Sequence, residues 1–169
     1  IISTSKSIND DNSLLNCRIP GLERKTPDLV ILDRNLKLKK NLKLFDAINN
    51  RKVYLFTCIK KNKKISYFKR KGIKIIFFNS LKNKEDFNNL FMYLKKINFT
   101  RVFVESGLTL INFLIKYKFL NNIYIFKSNY KLNKQGINYS NSNKLKKISL
   151  NNKINVNLFE DELFKEKLK

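Results

Sequence analysis

The chain carries five short apolar runs that are continuous rather than alternating. They are LVIL (29–32), VYLF (53–56), IKIIFF (73–78), VFV (102–104) and IYIF (123–126). Strands covered on both faces of a largely parallel sheet lose the alternation of apolar and polar positions. The pattern therefore predicts five buried strands in such a sheet. The apolar pair Ile1–Ile2 has the character of the end of a further strand.

Helical periodicity fills the intervals between these runs. Over 84–97 the apolar residues form one helical stripe, and Asn83 stands at the N-cap position. A shorter helix is predicted over 61–71, ended by Gly72 in the left-handed conformation that glycine tolerates best. After Gly107 a further core-facing stripe consists of Leu110, Ile111, Leu114 and Ile115. Strands that alternate with helices imply βαβ units and an α/β fold with a doubly wound sheet.

The end of the chain has a different pattern. INVNLF (154–159) alternates strictly, EDE (160–162) offers a turn and LFKEKL (163–168) follows, which predicts an antiparallel hairpin at the sheet edge. The polar, turn-rich segment 129–144 is predicted to be a surface loop. Neither an internal repeat nor a second core is evident, so we expect a single domain over 1–169.

Composition limits the class of protein. Hydrophobic residues make up 43% of the chain, which excludes a disordered protein, and no apolar run is long enough to span a bilayer. Without a signal-peptide pattern we expect a cytoplasmic location. The net charge of +23 comes mostly from lysines spread along the chain, beside abundant asparagine, isoleucine and phenylalanine. This bias is typical of A+T-rich coding sequence and favours a solvated basic surface over a nucleic-acid interface.

Several kinds of active site are excluded by the absence of histidine. The usual general base and every Ser/His or Cys/His nucleophile pair are missing. Cys17 and Cys58 belong to no C-x-x-C pair, so we predict two reduced, mostly buried thiols, with neither a zinc site nor any other metal site. An enzyme with this sequence must draw its chemistry from a cofactor or from carboxylates and lysines.

Two stretches offer ligand-binding chemistry at the carboxyl ends of predicted strands, where open α/β sheets bind ligands. STSKSINDDNSLLNCR (3–18) supplies hydroxyls, an acidic pair and an arginine, which suit a phosphate or a sugar. In VESGLTL (104–110), Gly107 opens a helix whose first N–H groups can hold a phosphate, and Glu105 can accept hydrogen bonds from a polar ligand. The alternatives are a helix-capping turn with an exposed loop for the first stretch and an ordinary strand-to-helix turn for the second.

Together these stretches resemble the reductase half of the bifunctional riboflavin-biosynthesis deaminase–reductase. That family has a segment of the type T-V-x-x-D-[DN]-x-x-L-T-x-R, then a strand ending in LD, and later a junction of the type V-E-[GA]-G-x-T-L. Here they read SINDDNSLLNCR (7–18), PDLVILDRNLKL (27–38) and VFVESGLTLINFL (102–114), in the same order and with similar spacing. The strand in NNIYIF (121–126) is similar to the family's next strand.

The resemblance implies a dihydrofolate-reductase-like α/β fold, with a mostly parallel central sheet, flanking helices and the C-terminal antiparallel hairpin. It implies NADPH-dependent reduction of 5-amino-6-(5-phosphoribosylamino)uracil, with hydride transfer to the anomeric carbon of the ribose. It also implies a homodimer and a zinc deaminase domain upstream. On this basis we expect the chain to be an N-terminally truncated fragment that is poorly active alone.

Site residues follow from the resemblance position by position. Ser7, Asp11 and Arg34 match positions that contact NADP in the family. The helix-opening run that holds the cofactor corresponds to Gly107, Leu108, Thr109, Leu110, Ile111, Asn112 and Phe113. Leu15, Arg18 and Glu105 match substrate positions, with Arg18 as the partner of an anionic group. No residue is assigned as the catalytic proton donor. Ser7 replaces the family's threonine, and Arg34 is bulkier than the usual residue at its position.

Two other functions are compatible with the sequence. One is a different reductase of the same fold that acts on another pteridine- or pyrimidine-like substrate. The other is a basic α/β module that binds nucleic acid, although clustered arginine is absent.

Overall fold

A computed structural model describes residues 1–46, 48–130 and 144–169. The chain is divided into two compact units, Ile1–Ser106 and Gly107–Lys169. The first unit contains a parallel sheet with helices on both faces. The second contains a helix and an antiparallel sheet. The structure is therefore mixed α/β, as the apolar pattern predicts.

The parallel sheet has four strands in the order β1-β2-β3-β4. These are β1 (Ile2–Thr4), β2 (Leu29–Leu32), β3 (Val53–Thr57) and β4 (Lys74–Phe77). The predicted strand over 102–104 is reduced to an isolated parallel bridge between Val104 and Ile2. Two backbone hydrogen bonds hold it, from Ile2 N to the Phe103 carbonyl (2.7 Å) and from Glu105 N to the Ile2 carbonyl (2.9 Å). Because the backbone groups of Ile1 and Ser3 point toward β2, those of Ile2 point to the opposite side of β1.

Strands β2 and β3 are buried along their whole length, as expected for strands covered on both faces. Strand β4 is half-buried or exposed because it is the last strand in the sheet order. Helices α1 (Ser5–Asp11) and α2 (Lys63–Arg70) contribute Ile8, Ile65 and Phe68 to a core cluster on one face. Full burial of a side chain of this size contributes about 1.5–3 kcal/mol.

Helix α3 (Lys84–Lys96) covers the other face of the sheet. Its Tyr93 ring meets the Phe56 ring of β3 at a centroid distance of 5.6 Å. Leu55, the neighbour of Phe56 in β3, belongs to the first core cluster, so the two rings lie on the opposite face. The helices predicted over 61–71 and 84–97 are thus confirmed. Gly72 has the predicted left-handed conformation, with φ of 81°.

The opening segment agrees in part with the sequence-based alternative of a helix-capping turn with an exposed loop, because Thr4 caps a helix. It forms α1, a seven-residue helix whose N-cap Thr4 accepts a hydrogen bond from Ser7 N at 3.2 Å. Asn12 ends the helix in a left-handed conformation. A mostly polar heptapeptide has too few apolar positions to show a helical stripe, which is why periodicity did not reveal it.

The second unit begins with α4 (Leu108–Lys116) and contains the strands β5 (Asn122–Lys127), β6 (Lys153–Ile154) and β7 (Glu162–Lys167), in the sheet order β5-β7-β6. The antiparallel pairing of β6 with β7 confirms a C-terminal hairpin, but its bounds and position differ from the prediction. Only Lys153 and Ile154 of the first strand pair, Glu162 belongs to β7 rather than to the turn, and the hairpin lies in a separate sheet rather than at the edge of the parallel one. The predicted strand over 123–126 exists, but its expected parallel partners were wrong. β5 pairs antiparallel with β7, and its residues are exposed or half-buried. A short apolar run does not specify its partner strand.

Some predictions concern residues outside the described ranges. Most of the predicted surface loop over 129–144 is among them, although Asn129 and Tyr130 are exposed. Within the described part of the chain, no helix has both the length and the apolar character needed to cross a membrane. The same residues contain no group of three or more cysteine, aspartate or glutamate side chains that could hold a metal ion.

Candidate functional site

The strand order of the first unit reverses at β1. The chain moves outward from β1 to β4 and then returns to the opposite side of β1 at the Val104 bridge. Open α/β sheets bind ligands beyond the carboxyl ends of the strands at such a reversal. The candidate site is therefore the carboxyl edge between β1 and the Val104 bridge.

Three hydroxyl side chains meet at this edge. The Thr4 and Ser7 Oγ atoms lie 3.0 Å apart, the Ser7 and Ser106 Oγ atoms lie 3.2 Å apart, and Ser106 Oγ donates to Thr4 Oγ1 at 3.3 Å. Thr4 ends β1, Ser7 lies in the first turns of α1, and Ser106 follows the Val104 bridge by two residues. We call Thr4, Ser7 and Ser106 the hydroxyl cluster. Hydroxyls both donate and accept hydrogen bonds, so the cluster suits phosphate oxygens and sugar hydroxyls.

A buried carboxylate stands beside this cluster at the end of β2. Asp33 is 2% exposed. Its Oδ1 accepts from Ser5 Oγ at 2.8 Å and from Lys37 N at 2.7 Å, and its Oδ2 accepts from Leu38 N at 2.8 Å. The carboxylate thereby joins the start of α1 to the turn that follows β2.

The predicted substrate residue Glu105 lies between the Val104 bridge and the hydroxyl cluster. Its side chain is exposed, while its backbone N–H is fixed on the Ile2 carbonyl. The structure therefore brings Ser7, which the resemblance assigns to the cofactor, into contact with Ser106, the residue that follows Glu105.

Gly107 is the N-cap of α4, with φ of −66° and ψ of 163°. Every residue type can adopt this conformation, so the backbone geometry does not require glycine here. The predicted reason for glycine, close approach of a ligand to a position without a Cβ atom, stays a prediction. At the start of α4, Leu110 N and Ile111 N both donate to the Gly107 carbonyl, at 3.2 Å and 3.4 Å.

The remaining positions of α4 that the resemblance assigns to the cofactor differ in exposure. Thr109 is exposed, Leu108, Ile111 and Phe113 are half-buried, and Leu110 and Asn112 are buried. Asn112 Oδ1 accepts a hydrogen bond from Lys144 N at 3.2 Å. Leu110 and Asn112 are thus buried, and Thr109 is the member of the run whose side chain is exposed.

Asp11 and Arg34 are both exposed. Asp11 is the last residue of α1, whereas Arg34 follows β2 at the carboxyl edge of the sheet. The Arg34 carbonyl accepts from Cys58 N at 3.1 Å and from Thr57 Oγ1 at 3.4 Å, which ties this residue to the end of β3. Burial raises the pKa of the half-buried Cys58 thiol, although the nearby Arg34 charge opposes the shift.

Leu15 is tied to the amino edge of the sheet rather than to the carboxyl edge, where Ser7 and Glu105 lie. Its carbonyl accepts from Arg51 Nη1 at 2.6 Å, and Arg51 stands two residues before β3, at the amino edge of the sheet. The Leu14 carbonyl accepts from Nη2 of the same guanidinium. Burial lowers the pKa of Arg51. The other predicted substrate residue of this segment, Arg18, has an exposed side chain.

Sequence reasoning assigned no role to Ser106, Asp33 or Arg51. The positions of Ser106 and Asp33 could have indicated a role, because each of these polar residues follows an apolar run at the carboxyl end of a strand. Arg51 precedes such a run, and nothing in the sequence indicates that its partners are 36 and 37 residues away.

A family model described as the RibD C-terminal domain matches residues 1–129. The chain belongs to this family. The match covers the whole first unit and the start of the second, and it confirms the resemblance carried by the three motifs. None of the curated proteins matches the chain.

Solved structures of RibD proteins show the same fold. Acinetobacter baumannii RibD, form 1, is 17% identical with a TM-score of 0.71, over 97% of this chain and 45% of that chain. A Thermotoga maritima protein described as a diaminohydroxyphosphoribosylaminopyrimidine deaminase/5-amino-6-(5-phosphoribosylamino)uracil reductase is 18% identical with a TM-score of 0.70, over 98% of this chain and 44% of that chain. This chain therefore spans less than half the length of either solved protein.

Proposed function

We propose that this member of the RibD C-terminal domain family is an NADPH-dependent reductase in riboflavin biosynthesis. Its substrate is 5-amino-6-(5-phosphoribosylamino)uracil, and its product is the 5-phosphoribitylamino compound. Family membership supports the reductase class, and the description of the Thermotoga maritima relative supports the substrate. The observation that carries the proposal is the hydroxyl cluster at the strand-order reversal of the first unit.

The side chains at this edge fit a nicotinamide dinucleotide. NADPH presents phosphate oxygens and ribose hydroxyls. The hydroxyls of Thr4, Ser7 and Ser106 can donate hydrogen bonds to the phosphate oxygens, and they can donate to or accept from the ribose hydroxyls. When bound, NADPH supplies the hydride that reduces the sugar, as cofactors generally carry the difficult chemistry. A site without histidine is therefore compatible with the reaction.

The residues of the chain bind and orient the cofactor and the substrate. In this proposal Ser7 binds the cofactor, and the family resemblance assigns the same role to Gly107 and Thr109. Glu105, exposed beside the cluster, accepts hydrogen bonds from the substrate's N–H or hydroxyl groups. These contacts contribute by positioning the reacting groups, the main role that remains for a protein in cofactor-borne chemistry.

The substrate roles of Leu15 and Arg18 have less structural support than the cofactor role of Ser7. The Arg18 guanidinium has the right chemistry for the substrate phosphate. Leu15, however, is held at the amino edge by Arg51. A titration compares the dissociation constants of inorganic phosphate and of the substrate between Arg18→Met and the wild type. Weaker binding of both ligands by the variant would support a phosphate-binding role for Arg18, and equal binding would contradict it.

Two proposals concern the whole protein. A deaminase domain upstream is supported by the description of the Thermotoga maritima relative, of which this chain covers 44%. A homodimer is supported by the family resemblance. Light scattering on the full-length protein tests the second proposal.

The cofactor proposal is tested by NADPH fluorescence during titration with the protein. We expect saturable binding that Ser7→Ala weakens about fivefold, the equilibrium equivalent of one ordinary hydrogen bond. The matched control is Ser66→Ala, the same change at an exposed position of α2. Absence of NADPH binding by the wild type would contradict the proposal, and equal weakening by Ser66→Ala would contradict the assignment of Ser7.

The substrate proposal is tested by steady-state NADPH oxidation. With 5-amino-6-(5-phosphoribosylamino)uracil as substrate, Glu105→Gln is expected to lower kcat/KM while the NADPH dissociation constant stays unchanged, because the carboxylate contacts only the substrate. NADPH binding without turnover of this compound would favour another reductase of the same fold.

A further inference from the structure

We propose that Asp33 is a positioning residue for the cofactor site, because its carboxylate holds the first turn of α1 and with it the hydroxyl cluster. The inference rests on the proposed NADPH function and adds a residue that the family resemblance does not assign. It is carried by the hydrogen bond between Asp33 Oδ1 and Ser5 Oγ, 2.8 Å long and buried at both ends.

The bond continues the β1–β2 ladder beyond its last backbone pair. Thr4 is the register partner of Leu32, so Ser5 and Asp33 would form the next pair. Asp33 N, however, donates to the Phe56 carbonyl of β3, and Ser5 already begins α1. The two side chains therefore supply the link between β1 and β2 at the point where the chain turns from strand to helix.

Ser5 lies directly between two members of the hydroxyl cluster along the chain. Thr4 precedes it and caps α1 by accepting from Ser7 N, and Ser7 follows two residues later. Since Ser5 is 8% exposed and bonded to a carboxylate that is itself 2% exposed, its position fixes the direction in which α1 leaves the sheet. Release of this bond is expected to let the first turn of α1 shift and to separate Ser7 from Ser106.

The same carboxylate also has a local structural task. Lys37 N and Leu38 N donate to its two oxygens, which closes the turn after β2. Leu36, within that turn, has a left-handed conformation with φ of 54°. A loss of stability in an Asp33 variant would therefore not by itself show a role in the cofactor site. The hydrogen bond from Ser5 can be removed while the bonds from Lys37 N and Leu38 N to Asp33 remain.

The decisive variant is Ser5→Ala in the full-length protein, with the NADPH dissociation constant measured by fluorescence and the urea midpoint measured in parallel. We expect binding to weaken at least about fivefold, as for loss of one hydrogen bond, while the variant remains folded. The KM for NADPH should rise and the KM for the pyrimidine substrate should not, a split that general destabilisation does not produce. Ser5→Thr, which keeps the hydroxyl, should recover most of the affinity.

A pair of aspartate variants provides the matched control. Asp33→Asn removes the charge that accepts from Ser5 and the turn, whereas Asp28→Asn acts on a carboxylate that accepts from Lys52 N at 2.8 Å at the amino edge. We expect Asp33→Asn to weaken NADPH binding and Asp28→Asn to leave it unchanged. The double variant Ser5→Ala/Asp33→Asn should bind NADPH about as Asp33→Asn does, since both changes remove the same bond.

The outcomes separate the inference from the proposed function. NADPH binding that Ser7→Ala weakens and Ser5→Ala leaves unchanged would overturn the role of Asp33 while the reductase proposal stands. Absence of NADPH binding by the wild-type protein would overturn both. Equal effects of Asp33→Asn and Asp28→Asn on NADPH affinity would also overturn the inference, because they would trace the effect to general destabilisation.

Discussion

At the scale of one residue, the Glu166 carboxylate holds a neighbouring segment of the second unit through hydrogen bonds. The residue lies on β7 and is 6% exposed. Its Oε1 accepts from Asn151 N at 2.6 Å and from Asn152 N at 2.8 Å, and its Oε2 accepts from Asn152 Nδ2 at 2.8 Å. These hydrogen bonds, first of all that from Asn152 N, lower the pKa of Glu166 from the ordinary 4.5. The ionised form is therefore the one that holds residues 151–152.

We predict that Glu166→Gln destabilises the protein most at neutral pH. A lowered pKa in the folded state means that the unfolded chain binds more protons below about pH 4.5, so this stabilisation is present above that pH and is lost as the pH falls toward the lower folded pKa. The difference in free energy of unfolding between wild type and variant should shrink between neutral pH and about pH 3. Urea unfolding at a series of pH values measures it.

Glu160→Gln is the control for this experiment, because it removes an exposed carboxylate near the same hairpin. Its difference from the wild type should stay small across the range. If Glu166→Gln differs from the wild type by the same amount at every pH, the bonds to Asn151 and Asn152 do not depend on ionisation and the prediction is wrong.

At the scale of one element, α3 is held by a reciprocal cap at its start. Asn83 Oδ1 accepts from Asp86 N at 2.9 Å, and Asp86 Oδ2 accepts from Asn83 N at 3.1 Å and from Lys82 N at 2.8 Å. The bonds from the Lys82 and Asn83 backbones lower the pKa of Asp86. This capping box satisfies donors that the helix itself leaves without acceptors.

We predict that Asn83→Ala lowers the free energy of unfolding by about 1 kcal/mol, the usual cost of removing an N-cap side chain. The matched control is Asn89→Ala, the same substitution at an exposed interior position of α3. Alanine has the higher helix propensity there, so the control should be neutral or stabilising. Urea unfolding followed by circular dichroism compares the two, and equal effects would contradict the role of the cap.

Elements were predictable where local signals agreed. Asn83, the stripe that follows it and Gly72 located α3 and the end of α2, because caps and helical periodicity are properties of neighbouring residues. The seven residues of α1 escaped notice because they are mostly polar. The predicted parallel pairing of β5 was wrong because an apolar run indicates burial but does not specify which strand lies beside it.

At the scale of the whole molecule the dominant feature is the net charge of +23. Among the described residues the ion pairs are those of Lys6 with Asp10 and of Glu162 with Lys127 and Lys153. Most lysines thus have no carboxylate within ion-pair distance in that part of the chain. Like charges at this density repel one another and destabilise the compact state.

We predict that moderate salt stabilises the protein. Raising NaCl from about 20 mM to about 300 mM shortens the Debye length and screens the repulsion, so Tm should increase by several degrees. Thermal unfolding followed by circular dichroism measures the change, and a Tm that falls would show that attractive pairs outweigh the repulsion. Tight RNA binding whose affinity drops steeply over the same salt range would instead favour the basic nucleic-acid-binding module.

The sequence by itself determined the α/β class, the strands β2 and β3, the helices α2 and α3, the C-terminal hairpin and the family, because periodicity, caps and motif order are local. Through the family resemblance it also predicts that Ser7 and Glu105 belong to one functional region.

Only the tertiary structure decided which residues share an edge of the sheet. It joined Ser7 to Ser106 across 99 positions, gave Asp33 its place beside Ser5 and held Leu15 at the amino edge through Arg51. Such contacts depend on strand order and register. Neither is encoded in the spacing of residues along the chain, since any buried parallel strand can accept any other as its neighbour.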